Sequence, residues 1–407
     1  MPNNWNTYKL GDIAEIIMGQ SPKGSTTNNN GDGLPLLNGP TEFGYSSPTP
    51  TQFTIDPKKL SQKGDVLFCV RGSTTGRMNY ANQIYAIGRG IGAFRGKNGY
   101  STKYIKCILD YYLERMLTLC TGSTFPNLSR TDLENFPVLV CKPKEAEAIS
   151  SILSTIDDKI ENNLAMNKTL EDMAMALYKY WFVDFGPFQE GKFKDSELGL
   201  IPEGWDVKGL LEIVDLLTGG TPKTKIEEYW NGDIKWVSAK DLGNNGNIYA
   251  TRTERTITPL GISKSAAKLL PEDSTIIVAR GSVGKMGMLS EPMAINQSCF
   301  GLYPKQDYSP SIIYLLIQSL VERFQQISYG SVFDTITTSS FSSTNIVCPP
   351  KTIVNKMNLS IEPMFKKIKA NSIENQTLTK LRDTLLPKLI SGEVRLKEFE
   401  EEITAVL

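Results

Sequence analysis

The chain repeats itself, and that repetition constrains its fold more than any other feature. Trp5 opens the run Trp-Asn-Thr-Tyr-Lys-Leu-Gly-Asp-Ile-Ala-Glu-Ile, and Trp205 opens Trp-Asp-Val-Lys-Gly-Leu-Leu-Glu-Ile-Val-Asp-Leu. Each leads into a Gly-x-[Ser/Thr]-Pro-Lys turn, ending at Lys23 in one case and Lys223 in the other. Further on, the stretch from Gly64 to Ser73 parallels that from Glu272 to Ser282, Gly122-Ser123-Thr124-Phe125 matches Gly330-Ser331-Val332-Phe333, and Val140-Cys141 matches Val347-Cys348. Matches that recur in one order mean a duplication, so two similar domains are expected. Within each copy, short apolar runs (67–70, 138–141, 275–279, 345–348) alternate with clusters of Gly, Pro, Asn and Ser, and 102–120 and 310–327 read as helices. This predicts an α+β fold with long polar loops, including Ser25 to Gly31 and Asn244 to Asn247, of the kind that carries binding.

After each copy comes a stretch of about 35 residues with 3,4 apolar spacing and no internal Gly, which predicts a long helix of roughly 50 Å. The first seam runs Leu153, Ile156, Ile160, Asn163, Asn167, Leu170, Ala174, Leu177, Trp181. The second runs Ile361, Met364, Ile368, Asn371, Asn375, Leu378, Arg382, Leu385, Leu389, each 208 positions later. Asn at two matching seam positions trades stability for register, because an unpaired amide in an apolar interface is costly. Antiparallel packing with Leu153 facing Leu389 predicts that Asn167 meets Asn375 at the midpoint. The two helices would then form an antiparallel coiled coil relating the domains by a pseudo-two-fold axis.

Composition excludes much. Among 407 residues there is no histidine, which removes histidine-based triads, imidazole metal ligation and histidine general bases together. The six cysteines (Cys69, Cys107, Cys120, Cys141, Cys299, Cys348) lack CxxC spacing and read as reduced thiols in apolar runs, not as a zinc site. No stretch approaches a membrane span, and the N-terminal residues lack a signal pattern, so a cytoplasmic location is expected. Basic and acidic residues balance at 44 each, but 66–109 carries Arg71, Arg77, Arg89, Arg95, Lys97, Lys103 and Lys106 with no Asp or Glu, whereas 148–204 has 5 basic against 10 acidic side chains. A basic face on a neutral protein suits a locally contacted polyanion.

Enzyme motifs fail on inspection. Gly88-Arg89-Gly90-Ile91-Gly92 has GxGxG spacing and no acidic residue at the distance a dinucleotide site needs. Gly281-Ser282-Val283-Gly284-Lys285 is preceded by Ala279, where a P-loop needs Gly, and followed by Met286, where it needs Ser or Thr. Cys348-Pro349-Pro350-Lys351 has the wrong flanking residues for an amino-methyltransferase motif, and the Asp157-Asp158 pair reads as solvated helix surface.

Three segments carry a family resemblance. They are Gly219-Gly220-Thr221-Pro222-Lys223 leading to Tyr229-Trp230-Asn231-Gly232-Asp233-Ile234-Lys235-Trp236, then Gly199-Leu200-Ile201-Pro202-Glu203-Gly204-Trp205, and Tyr180-Trp181-Phe182-Val183-Asp184-Phe185. With these, the whole chain resembles the specificity (S) subunit of type I restriction-modification systems. The resemblance implies two target recognition domains (1–147 and 205–352), each followed by a long helix (148–184 and 353–391), with a linker at 185–204 and a tail at 392–407. It also implies a non-catalytic subunit whose domains each read one half of a bipartite asymmetric site on double-stranded DNA. Its helices would seat two copies of an adenine methyltransferase subunit, which restriction subunits join. S-adenosylmethionine, ATP and magnesium would belong to those partners, with no cofactor or metal in this chain. The first domain departs from the pattern, having no Trp-Asn-Gly-Asp-Ile counterpart. Arg or Lys suits guanine and Asn or Gln suits adenine. The candidate DNA contacts are therefore Lys23, Asn28, Asn29, Arg71, Arg77 and Arg89, then Lys223, Lys225, Lys240, Arg252, Arg255, Arg280, Lys285 and Gln297. Two other readings are a bivalent protein-binding scaffold without DNA readout, favoured by the acidic 148–204 segment, and a hydrolase working through carboxylates.

Overall fold

The computed structural model describes residues 5–120, 126–243, 247–305, 308–329 and 335–394. The repeat match at 122–125 and 330–333, the centre of the Asn244 loop and most of the tail lie outside them. The chain divides into two compact units: the described residues of Met1–Glu161 with those of Leu378–Leu407, and Asn162–Thr377.

Each unit is built on the same plan. In the first, Asn6–Lys9 pairs antiparallel with Pro137–Val140, and a four-stranded sheet runs in the order Ala14–Met18, Ile91–Gly96, Val66–Cys69, Met78–Tyr80. A second sheet is ordered Thr27–Asn28, Gln52–Thr54, Leu34–Leu37, Ala86–Ile87, its last pair parallel. The second unit repeats the terminal pair as Asp206–Gly209 with Asn345–Cys348. It repeats the first sheet as Val214–Thr218, Cys299–Pro304, Thr275–Val278, Met286–Leu289, extended by Tyr249–Ala250. Its other sheet is ordered Arg255–Ile257, Trp230–Val237, Met293–Ile295, Leu269–Leu270. The four-residue helices Leu10–Ile13 and Leu210–Ile213 are also matched, each closed by a carboxylate three residues on that accepts the entry N–H: Lys9 to Asp12 at 3.0 Å and Gly209 to Glu212 at 2.7 Å.

The period-two alternation of strands decides what each side chain packs against. Ile276 and Val278 face a core made with Val237, Leu289, Ile295 and Cys299. Their neighbour Ile277 faces the other way, into a core with Ile312, Ile313, Leu316 and Ile317 of the helix Pro310–Tyr329. In the first unit Leu67, Cys69, Ile87, Ile91 and Leu37 form the equivalent inter-sheet core. These five are completely buried, and so are Val66 and Phe68 on the opposite face, which is why the run 66–69 shows no polar interruption in sequence.

The long helices are Pro143–Phe182 and Lys351–Ser391, at 40 and 41 residues longer than their seams alone indicate. Every seam residue is buried or half-buried. The second helix continues through Pro363 and Pro387, each of which removes one backbone donor. Buried Ile361 and Phe365 flank the first proline, and buried Leu385 and Leu389 flank the second, so packing outweighs the lost bond. In the first unit Arg382 reaches Asp157 at 2.8 Å. Asp157 is therefore an ion-pair partner at the seam, not free helix surface. Burial opposes the Arg382 charge, but hydrogen bonds and attraction to Asp157 and Asp383 outweigh it and raise its pKa.

The amides correct the expected register. In the second unit Asn163 Nδ2 donates to Asn375 Oδ1 and Asn371 Nδ2 donates to Asn167 Oδ1, both at 2.8 Å. The residue numbers of both pairs sum to 538, so Asn167 meets Asn371 and not Asn375. The reason is satisfaction of buried amides: in the expected register one Asn pair would form, leaving Asn163 opposite Thr379 and Asn371 opposite Glu171. Asn163 Nδ2 also donates to Glu374 Oε2 at 2.8 Å.

The stretch 185–204, expected as a linker, is ordered and packed. Phe193–Ser196 and Gly199–Pro202 form a hairpin. Trp205 is ringed by Phe182, Phe185 and Phe188 at centroid distances of 5.8, 5.4 and 5.2 Å. The Tyr-Trp-Phe-Val-Asp-Phe motif is thus an aromatic anchor for the second unit. Among the described residues no helix is long and apolar enough to cross a membrane.

The half-satisfied pair yields a test, because Asn167 Nδ2 and Asn371 Oδ1 are buried without a partner among the described residues. Asn371→Leu alone should lower stability by about 1–3 kcal/mol by stranding the rest of the Asn167 amide. Replacing both with Leu should recover the loss, as read by urea denaturation of the full chain.

Candidate nucleic-acid interface

In both units the site begins with a glycine pressed onto a strand. Gly19 N–H donates to Ile91 O and Gln20 N–H to Ile87 O, both at 2.9 Å; Gly219 donates to Cys299 O at 3.4 Å and Gly220 to Ile295 O at 3.0 Å. A Cβ on Gly19 would lie 2.2 Å from Gly88 O, and one on Gly219 2.0 Å from Asn296 O. Only glycine fits there. Two more main-chain bonds draw in neighbouring loops: Gly88 N–H to Leu37 O with Val70 N–H to Gly90 O, and in the other unit Asn296 N–H to Val237 O with Ala279 N–H to Ser298 O. Four loops therefore converge in each unit, after 18, 37, 69 and 87 in one and after 218, 237, 278 and 295 in the other.

In the first unit this convergence forms an open cleft of about 410 Å³ lined by Ser21, Asn38, Gly39, Arg71, Arg89 and Gly90. Of the sequence candidates, it brings together Arg71 and Arg89, both exposed. Arg71 Nε donates to Asn127 Oδ1 at 3.1 Å, and Arg89 N–H donates to Ser21 Oγ at 3.2 Å. Asn38 accepts from Ser21 Oγ at 3.4 Å and donates to Gln52 Oε1 at 3.0 Å. Lys23, Asn29 and Arg77 are exposed but do not line the cleft. Asn28 holds its own loop closed: its Oδ1 accepts from Asn30 and Asp32 N–H and its Nδ2 donates to Asp32 O. The basic stretch 66–109 is partly neutralised. Arg95 meets buried Asp65 at 2.8 Å and Glu15 at 3.2 Å, Lys106 meets Asp110 at 2.5 Å, and Lys103 lies 3.7 Å from Asp158. The hydrogen bond to Asp65 raises the Arg95 pKa.

In the second unit the tryptophan motif anchors the loop. Trp236 Nε1 donates to Gly220 O at 2.9 Å and Trp230 Nε1 to Lys223 O at 3.2 Å, so the two indoles hold the Gly-Gly-Thr-Pro-Lys turn. They pack edge to face at 5.2 Å, and the Arg255 guanidinium lies 3.4 Å over the Trp230 ring. Arg255 thus stacks on the scaffold while staying exposed. Gln297 accepts from Thr221 Oγ1, bridging two of the converging loops. Lys285 donates to Ala239 O at 2.9 Å, tying the loop after 278 to the one after 237, and Lys240 pairs with Glu254 at 3.3 Å. Lys223, Lys225, Arg252 and Arg280 are exposed. Ser21, Asn38, Trp230 and Trp236 were not among the sequence candidates. Aligning the two Gly-x-[Ser/Thr]-Pro-Lys turns pairs Ser21 with Thr221, a signal that would have found the hydroxyl.

No group of three or more His, Cys, Asp or Glu among the described residues could hold a metal. All six thiols are free, and five are buried. Burial pushes Cys107 and Cys299 up to about 12 and Cys141 up to about 11, far from the range of a nucleophilic thiolate.

The family model of the type I restriction modification DNA specificity domain matches the chain twice, over residues 2–172 and 202–382. The chain is 28% identical to the type I restriction enzyme MjaIX specificity subunit of Methanocaldococcus jannaschii, across 98% of this chain and 95% of that one. It is 24% identical to the type I restriction enzyme HindI specificity subunit of Haemophilus influenzae, across 96% and 100%. In fold it is similar to the crystal structure of the type I restriction-modification S subunit from M. genitalium, with a TM-score of 0.60 at 17% identity over 96% of this chain and 97% of that one.

Two outcomes are expected. Gly219→Ala should lower stability by about 1–3 kcal/mol through the forced clash with Asn296 O, as measured by thermal unfolding. The raised thiol pKa values stabilise the fold fully below the ordinary value of 9, and that contribution is lost as pH rises through 11 to 12. In the native state at pH 8 a thiol reagent should therefore modify half-buried Cys120 first, and rapid uniform labelling would contradict this.

Proposed function

The chain belongs to the family of type I restriction modification DNA specificity domains, as the paired match over most of its length shows, and on that premise we propose that each unit reads one half of a bipartite, asymmetric site on double-stranded DNA. The observation that supports this reading best is the duplicated convergence of four loops. One set of main-chain bonds carries different polar side chains in the two units, Ser21, Asn38 and Arg89 against Thr221, Ser238 and Gln297. A frame of this kind presents side chains to the major groove while the frame itself stays indifferent to sequence.

The long helices, in this reading, form an antiparallel coiled coil with pseudo-two-fold symmetry that spaces the readers. They dock two copies of an adenine methyltransferase subunit, with restriction subunits joining that core. The exchange of Asn163 with Asn371 and of Asn375 with Asn167 under the 208-residue repeat supports such a symmetry. The chain itself acts without catalysis, and S-adenosylmethionine, ATP and magnesium belong to its partners. Its place of work is the cytoplasm, where the DNA is.

The test is methylation mapping with the assembled methyltransferase. Exchanging residues 1–147 for the same part of a relative should change one half-site and leave the other intact, and a change in both would refute the modular reading. Inserting one helical turn into both long helices should change the gap between half-sites, as a rigid spacer between readers would.

A further inference from the structure

We infer that positions 89 and 297 each read one base, guanine in the first unit and adenine in the second, while Arg71 and Arg280 hold a phosphate in both. This rests on the DNA-reading assignment above. The equivalence comes from main-chain geometry, not from the side chains. Ile87 and Ile295 accept from Gln20 and Gly220, Gly90 and Ser298 accept from Val70 and Ala279, and Ile91 and Cys299 accept from Gly19 and Gly219. These anchors share one offset of 208, which puts Arg89 and Gln297 at the same place in the two frames.

Both side chains are exposed, and neither has an acidic partner among the described residues. Each sits beside the hydroxyl of its Gly-x-[Ser/Thr]-Pro-Lys turn, Arg89 through its own N–H to Ser21 Oγ and Gln297 through Oε1 to Thr221 Oγ1. The frame is therefore common and the chemistry at its tip is not. An arginine fork offers two donors that match O6 and N7 of guanine, whereas a glutamine amide offers one acceptor and one donor that match N6 and N7 of adenine.

Arg71 and Arg280 behave oppositely, being the same residue at equivalent positions after Val70 and Ala279. A residue kept in two readers of different half-sites suits what all DNA shares, the phosphate backbone. Arg71 lines the same cleft as Arg89, and its bond from Nε to Asn127 Oδ1 steadies the guanidinium.

The experiment selects bound duplexes from a randomised double-stranded library with the full chain assembled with its methyltransferase partner. It compares wild type with Arg89→Gln, Gln297→Arg, Arg71→Ala and Arg280→Ala. Arg89→Gln should turn one guanine of one half-site into adenine, with the guanine preference falling about 10-fold or more, and Gln297→Arg should do the reverse in the other half-site. Arg71→Ala and Arg280→Ala should weaken binding to all duplexes alike, leave the motif unchanged and reduce the log–log salt slope by about 1 each. An unchanged motif in both exchanges at 89 and 297, or a changed base preference in the alanine variants, would overturn the inference while leaving DNA reading intact. Failure of the wild-type assembly to select any motif would overturn DNA reading itself, and this inference with it.

Discussion

A carboxamide buried among leucine and isoleucine is tolerated only when another polar group meets it. The seam carries four, at Asn163, Asn167, Asn371 and Asn375, and all are nearly inaccessible. Apolar residues alone would let two helices slide by a turn at little cost, since one leucine packs much as the next. The amides remove that freedom. One setting gives each of the four an amide neighbour, and the duplication makes its two pairs copies of one solution. Stability is given up for uniqueness, most visibly at the Asn167–Asn371 pair, where one donor and one acceptor have no partner among the described residues.

The loop face follows the opposite strategy. There the determinants of shape are main-chain groups: Gly19 and Gly219 fit because they have no side chain, and the carbonyls of residues 87, 91, 295 and 299 accept whatever follows. Bonds of that kind survive substitution of almost every neighbouring side chain. The second unit reinforces its turn with two indole N–H donors, and among the described residues the first has no such brace from tryptophan. Shape can therefore persist while Ser21, Asn38 and Arg89 become Thr221, Ser238 and Gln297.

What could be read from the sequence was whatever has a period or a repeat. The duplicated Trp and Gly-x-[Ser/Thr]-Pro-Lys runs, the completely buried β-runs and the 3,4 seam all carry local signals, and so do the asparagines that interrupt it. Register does not: shifting one helix by a turn leaves each helix's own pattern unchanged, so the pattern pairs Asn167 with Asn375 whereas the fold pairs it with Asn371. Pairing between distant charges was equally invisible. Arg95 belongs to a basic stretch in sequence but meets Asp65 only across the folded sheet, and Asp157 meets Arg382 from a segment far away in sequence. The tryptophans of the Trp-Asn-Gly-Asp-Ile-Lys-Trp run were legible as a family motif, but their indole N–H bonds to Gly220 and Lys223 carbonyls need three dimensions.

The first unit is assembled from two distant parts of the chain, up to Glu161 and from Leu378 onward, whereas the second is continuous. On the ribosome this reverses the usual order of maturation. The unit begun first remains without its closing helical segment, Leu385 and Leu389 included, until synthesis has passed Leu378. The unit made second has every one of its residues before that point. A nascent chain thus holds an unfinished apolar seam on its older half until the stretch from Leu378 emerges, and that stretch completes the half that was begun first.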